Sequence, residues 1–277
     1  MMTRTKRFCI FCGGPGLTKE HIWADWASRF VPKMVPFHTK LTLEIQMPGI
    51  ADNSVSNFKK VDGDPRSRKV RRVCKNVCNG GWMAKLQDRV KPIALPLILG
   101  REAILSASDQ RLLGAWVGMA VMCSEYSDED FAAIPQSDRD FLRNFMMLPS
   151  SWKVWIGNCP DGEKDPIWNH QSGAFPDDGV GVPEANPGHK DTLNTQMTAY
   201  TFGRLYILAI SSTRPNIVRL WRNGLEGVGR LRQIIPIIDD KVTWPPLIAV
   251  SSLDIWNDMD GLRRLAIDMN RRNAAEQ

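Results

Sequence analysis

Cys74-Lys75-Asn76-Val77-Cys78-Asn79-Gly80-Gly81-Trp82-Met83 is the stretch whose reading decides how the front of this chain folds. Two closely spaced thiols, then glycines, then large apolar side chains make one half of a metal knuckle that opens into a helix. The matching half lies far upstream at Cys9-Ile10-Phe11-Cys12, where Gly13-Gly14-Pro15-Gly16 supplies the turn. Four thiolates suit a closed tetrahedral Zn²⁺ site, and such a clip holds together a subdomain that has little core of its own. Cys123 and Cys159 stand alone and read as small core residues.

Between the knuckles lies Thr18-Lys19-Glu20-His21-Ile22-Trp23. An acid beside an imidazole can serve two purposes next to a metal: the carboxylate binds the ion and the imidazole activates water. Taken alone the pair says little. Close behind Cys12, and with Asn79 directly after Cys78, it stops being isolated.

Charge sharpens the picture. Residues 1–91 hold 18 Lys+Arg against 7 Asp+Glu, whereas the remainder holds 18 against 23, within an overall charge of +6. A basic front half expects a polyanion partner. The cluster Arg66, Arg68, Lys69, Arg71, Arg72 and Lys75 adjoins the second knuckle. On an alternating strand Arg66, Arg68 and Arg72 would share a face with Val70 and offer bidentate phosphate contacts. No apolar run approaches the roughly 20 residues of a membrane span. The short apolar run after the basic N-terminus makes no signal peptide, so a cytoplasmic location is expected.

Cys9-x-x-Cys12, Thr18-x-Glu20-His21 and Cys78-Asn79-Gly80-Gly81-Trp82-Met83 together resemble the zinc-finger-bearing branch of the HNH endonucleases, in particular a group of uncharacterised bacterial and phage HNH proteins. The resemblance is specific over residues 9–91. It is weaker through Pro92–Glu125 and at Trp244-Pro245-Pro246. It implies an α+β chain: a zinc-stapled, treble-clef-like ββα-metal module over residues 1–91, then a mixed α/β region of unknown task over 92–277. By the same resemblance Cys9, Cys12, Cys74 and Cys78 hold a structural zinc. Glu20 and Asn79 hold a catalytic Mg²⁺ or Mn²⁺, and His21 is the general base. The implied reaction is hydrolysis of nucleic-acid phosphodiesters, with double-stranded DNA as the expected partner, in phage biology or antiphage defence. The alternative is a non-catalytic zinc finger that binds nucleic acid without cutting it. A homodimer or a further partner would engage residues 92–277.

Two departures from the family pattern bear on the site. The asparagine that usually precedes the third cysteine is missing, its place taken by Arg68-Lys69-Val70-Arg71-Arg72. A long insertion separates Trp26 from Pro65 and carries His38, read as structural or surface.

Periodicity sketches the rest. A short helix is expected over 22–30, a strand over 41–46, and another around Val70 and Val73. A helix from Trp82 should stop before Pro92. Leu112, Leu113, Trp116, Val117, Ala120 and Val121 mark a helix over 108–126, and a second begins at Ser137 with Asp140 three residues on. Strands are expected over 152–157, 198–212 and 217–221, with long loop over 158–191 and a last helix over 260–272. His170 and His189 fall in that loop without a partner pattern. Asp177-Asp178 and Asp239-Asp240 read as turns.

Overall fold

The structure, a computed structural model, describes residues 7–22, 24–31, 37–44, 55–63, 68–127, 129–164, 166–175, 193–221, 224–259, 261–262 and 264–265. Arg66, Asp177, Asp178, His189 and the side chain of His38 lie outside the described residues.

The chain is a mixed α/β fold whose N-terminal part is a strand–strand–helix unit. Strand β1 (Leu17–His21) is followed by a hairpin, β2 (Phe37–Glu44) with β3 (Val55–Asp62), and then by β4 (Lys69–Cys74), which pairs antiparallel with β1. The hairpin is thus an excursion from the middle of a two-stranded unit. It occupies the long insertion noted in the sequence. After β4 the chain enters a π-helical segment, Lys75–Met83, that continues directly into α1 (Ala84–Ile98).

Helix α1 overrides the expected stop. It runs through Pro92 and Pro96, each of which removes an intrahelical hydrogen bond at a cost of about 3 kcal/mol in an isolated helix. Pro92 is exposed and Pro96 half-buried, while Leu86, Val90, Ala94, Leu97 and Ile98 are buried against the interior. Burying a large aliphatic side chain yields roughly 1.5–3 kcal/mol, so the inner face outweighs the interruptions on the outer one. Consequently α1 passes uninterrupted through residue 91.

Strand β5 (Ala103–Ser106) leads into α2 (Ala107–Ser124), which starts with a capping box: Ser106 Oγ accepts from the Asp109 amide, and Asp109 accepts from the Ser106 amide. Helix α3 (Gln136–Phe145) begins one residue before the expected Ser137 and has Pro135 at its cap instead of a side-chain acceptor. A five-stranded antiparallel sheet follows. Its strands are β6 (Trp152–Asn158), β7 (Trp168–Gly173), β8 (Thr195–Phe202), β9 (Leu205–Ser212) and β10 (Leu231–Ile235), in the order β10-β6-β9-β8-β7. Strand β7 lies where the sequence suggested only loop, and 198–212 is a hairpin turned at Gly203-Arg204. The segment 217–221, expected as strand, instead falls in helix α4 (Pro215–Leu220) and its C-terminal cap, Trp221. Proline at its first position presets the helical φ, and Ile217, Val218 and Trp221 then bury on one side. Helix α5 (Gly224–Gly227), strand β11 (Lys241–Trp244), paired with β5, and helix α6 (Ser252–Met259) complete the order.

All eight residues of β8 and of β9 are buried because both sheet faces are covered. Tyr200, Phe202, Ile207 and Ala209 join a core with Trp116, Met122, Val73, Met83 and Phe11. Met197, Ala199, Leu208 and Ile210 face Ile217, Trp221, Ile255 and Met259 on the other side. The first of these cores is shared between the N-terminal strand–strand–helix unit and the remainder of the chain.

A buried ionic cluster holds α2, α3 and β7 together. The Glu125 carboxylate accepts from the amides of Ala133 (2.6 Å) and Ile134 (3.0 Å) and from Arg139 Nη2 (2.6 Å). Burial pushes its carboxyl up to about 7 against the pull of those donors. Removing one member of a buried ion pair strands the other charge, at about 3–5 kcal/mol. Arg139→Met should therefore lower the urea-unfolding free energy by roughly that amount, whereas Arg139→Met with Glu125→Leu should recover much of it. Equal losses in both variants would mean that packing, and not charge, holds this corner.

His170, on β7, has its Nδ1 2.7 Å from Thr198 Oγ1, and burial lowers its pKa from 6.5 to about 4. The folded ring stays neutral while the unfolded one accepts a proton, so its contribution to stability is complete above pH 6.5 and is lost as the pH falls toward 4. His170→Gln should flatten this part of the stability–pH curve. An unchanged slope would show that the ring takes up protons equally in the folded and unfolded chains.

Candidate metal centre and adjoining cleft

Folding brings the two knuckles together through the β1–β4 pairing. Leu17 sits opposite Cys74, and the Ile10 amide donates to the Arg72 carbonyl. All four Sγ atoms of Cys9, Cys12, Cys74 and Cys78 lie within 4.8 Å of one another, with Cys9–Cys78 at 3.7 Å and Cys12–Cys74 at 3.5 Å. A tetrahedral ion with Zn–S bonds of about 2.3 Å requires sulfur–sulfur separations of roughly 3.8 Å, so the cluster has the size of a zinc site. Burial raises the Cys12 and Cys78 thiols. At Cys9 burial also pushes upward, but backbone hydrogen bonds involving Cys74, Phe11 and Cys12 outweigh it and hold the thiol below its ordinary value. The site is therefore a buried four-cysteine cluster able to bind a metal ion such as Zn²⁺.

The segment after Cys74 is wide for a reason visible in its glycines. A Cβ on Gly80 would lie 3.1 Å from the Lys75 carbonyl oxygen, and one on Gly81 would lie 3.2 Å from that of Asn76. Gly81 also leaves helical geometry, at φ −102° and ψ −109°. Two side-chain-free residues let the turn close over its own carbonyls, so Cys78 joins the other three thiols while Trp82 returns inward to meet Phe11 edge-on at 5.0 Å.

Asn79 lines an open cleft of about 470 Å³ with Thr18, Lys75, Asn76 and Gly80. Glu20 and His21 are not among its lining residues. Glu20 is buried, and its Oε1 accepts from Gln87 Nε2 of α1 at 3.3 Å. Burial pushes this carboxyl up to about 7, partly offset by Gln87 and reinforced by Asp25. His21 is partly exposed, with Nε2 3.2 Å from Asp25 Oδ1. Burial lowers its pKa, opposed by Asp25 and helped by Lys69. The expected helix around Asp25 is a short 3₁₀ turn, Asp25–Arg29, which carries that partner. Neither Gln87 nor Asp25 has a sequence signal, because each is recruited through packing and not through a motif.

The basic cluster divides. Lys69, Arg71 and Lys75 are exposed, as is Lys19 on the facing strand. Two β4 residues, Arg71 and Arg72, stand opposite the single Lys19, since Thr18 pairs with Val73 and Glu20 with Val70. The bulge breaks the simple alternation. Val70 faces the core, and Arg72 turns inward to pair with Glu129 and cover the Tyr126 ring at 5.2 Å. Arg139 covers the same ring, also at 5.2 Å. Arg72 thus ties the cysteine-bearing end to the rest of the fold.

Comparisons of the chain with protein-family models, with curated proteins and with solved structures give no match. Among the described residues no helix is long and apolar enough to cross a membrane.

Proposed function

We propose that this chain is a metal-dependent endonuclease of the HNH type, hydrolysing phosphodiester bonds of nucleic acid, with double-stranded DNA as the substrate. The observation that carries this reading is the four-cysteine cluster holding an antiparallel strand pair against the helix that follows Cys78. In such a unit an acid–imidazole pair at the end of the first strand and an amide at the head of the helix belong to one small substructure. His21 has the properties of a general base: a pKa that burial lowers, partial exposure, and a neighbouring carboxylate in Asp25 to stabilise the imidazolium once formed. Asp25 takes the bracing part that the missing asparagine plays in the family pattern. Glu20 and Asn79 would hold a Mg²⁺ or Mn²⁺ ion. The donor chemistry fits, because a carboxylate and an amide oxygen are hard ligands and the buried Glu20 carboxyl has an amide, not a cation, as its hydrogen-bond donor. When bound, the ion supplies charge neutralisation at the leaving oxygen.

Lys69, Arg71, Lys75 and Lys19 are the side chains offered to phosphates in this reading. Each phosphate contact adds about 0.9 to the slope of log affinity against log salt on duplex DNA. Lys69→Gln with Arg71→Gln should therefore reduce that slope by roughly 2 in a fluorescence-anisotropy titration. An unchanged slope would remove these two residues from the interface.

A second reading, a zinc-braced module that binds nucleic acid without cutting it, is favoured by one observation: Glu20 accepts from Gln87, while the cleft at Asn79 is lined without Glu20 or His21. A plasmid-nicking assay with Mg²⁺ or Mn²⁺, run beside a His21→Ala control, separates the two. Metal-dependent nicking that the control lacks supports the nuclease; tight binding with no nicking supports the binder.

A further inference from the structure

A second cleft lies far along the chain from the cysteines, at one end of the five-stranded sheet, and has a volume of about 290 Å³. The start of β6, the end of β9, helix α4 and the residue after β10 converge on it. Two cations, Lys153 and Arg219, stand at its wall, and among the described residues no acid lines it. Both cations are held in place. Lys153 Nζ donates to the Trp221 carbonyl at 3.3 Å, and Arg219 Nη2 donates to Asn216 Oδ1 at 3.0 Å. The hydroxyls of Ser150 and Thr213 line the same space. Pro215, Val218 and Pro236 add an apolar wall.

We propose that this cleft binds a phosphate group carried on a small, flat, partly apolar body, as in a nucleoside monophosphate. The two cations and the hydroxyls are the donors a phosphate monoester needs, and the nearby Asp138 carboxylate is taken up by the Ser151 hydroxyl at 3.0 Å and the Trp152 indole at 2.8 Å. Proline rings and a valine present the kind of surface on which a base or sugar packs. Its size, about 290 Å³, is at the lower end of small-molecule pockets, about 300 to 1,000 Å³, and so suits a small ligand. The phosphate can come from a free mononucleotide or from the 5′-phosphorylated end of a nucleic-acid strand; the chemistry is shared. The inference stands independently of the nuclease reading, since it uses none of the same residues.

The test is calorimetric titration of the full chain with adenosine 5′-monophosphate, with adenosine, and with a short single strand bearing or lacking a 5′-phosphate. Binding of the monophosphate at least roughly 10-fold tighter than adenosine is expected, as one charge-assisted contact alone provides this. Arg219→Gln, at an exposed position, should weaken the monophosphate by roughly 10-fold with the melting temperature unchanged. Lys153→Met should do the same, and the Arg219 variant keeps the test valid if loss of the Trp221 contact destabilises it. Preference for the free monophosphate over the phosphorylated strand assigns the cleft to a small ligand; the reverse assigns it to strand ends. Equal binding of monophosphate and adenosine, no binding of any phosphorylated probe, or indifference to Arg219→Gln would overturn the proposal.

Discussion

Removing the metal from the cysteine cluster should unfold the N-terminal third of this protein and destabilise the rest. Structural zinc contributes an apparent 10–16 kcal/mol or so in zinc-finger peptides, against roughly 5–15 kcal/mol for the whole stability of an ordinary domain. The strand pair that the cysteine cluster closes is only two strands wide, and two-stranded units are marginal by themselves. Cys9, Cys74 and Cys78 are buried, so without the ion their thiols keep the cost of burial and lose the bonds that offset it. The effect should spread, because Phe11, Val73 and Met83 share a core with Trp116 and Phe202. Elemental analysis is expected to give one zinc per chain. A strong chelator, or Cys74→Ser with Cys78→Ser, should collapse the thermal transition and expose the segment between the knuckles to protease. A chain that purifies with no bound metal and melts identically as the double variant would refute a structural metal here.

The second large effect concerns His21. In the nuclease reading, His21→Ala should lower the cleavage rate by about 10²–10⁴, the usual yield of a positioned general base. That corresponds to roughly 3–5 kcal/mol of transition-state stabilisation. Stability should barely change. The ring is partly exposed and its carboxylate neighbour is the exposed Asp25, a surface contact worth about 0–1 kcal/mol. Zinc content should be that of the parent. Glu20→Gln and Asn79→Ala should instead raise the Mg²⁺ or Mn²⁺ concentration needed for half-maximal cutting. Asp25→Asn should give a smaller loss than His21→Ala, since Asp25 acts through the imidazole, and should shift the pH–rate profile toward lower pH as the base loses its anionic neighbour. Undiminished cleavage by the His21 variant would end this assignment.

How much of this was legible in the residues follows from the range of the forces involved. The knuckle cysteines, the helix opening after them, α2 and the β6 strand were readable, because ligand spacing and apolar periodicity are local signals. The fate of Arg72 was not, since a one-residue bulge and the distant Glu129 and Tyr126 decide where its guanidinium goes. Likewise Pro92 looked like a helix stop until the buried inner face of α1 was set against it. The segment around Ile217 looked like strand because its side chains are β-branched and aromatic. Its proline start and its docking on β9 make it a helix.

Sequence by itself therefore determined that four thiols meet and that a basic, glycine-hinged segment surrounds them, since metal ligation demands particular atoms at particular spacings. Only the tertiary structure decided which carboxylate faces which partner: Glu20 toward Gln87, Asp25 toward His21, Glu125 toward Arg139. Those pairings join residues whose separation in the chain carries no information. They are set by which faces of strands and helices the shared core turns inward, and that core forms only when the whole chain has folded.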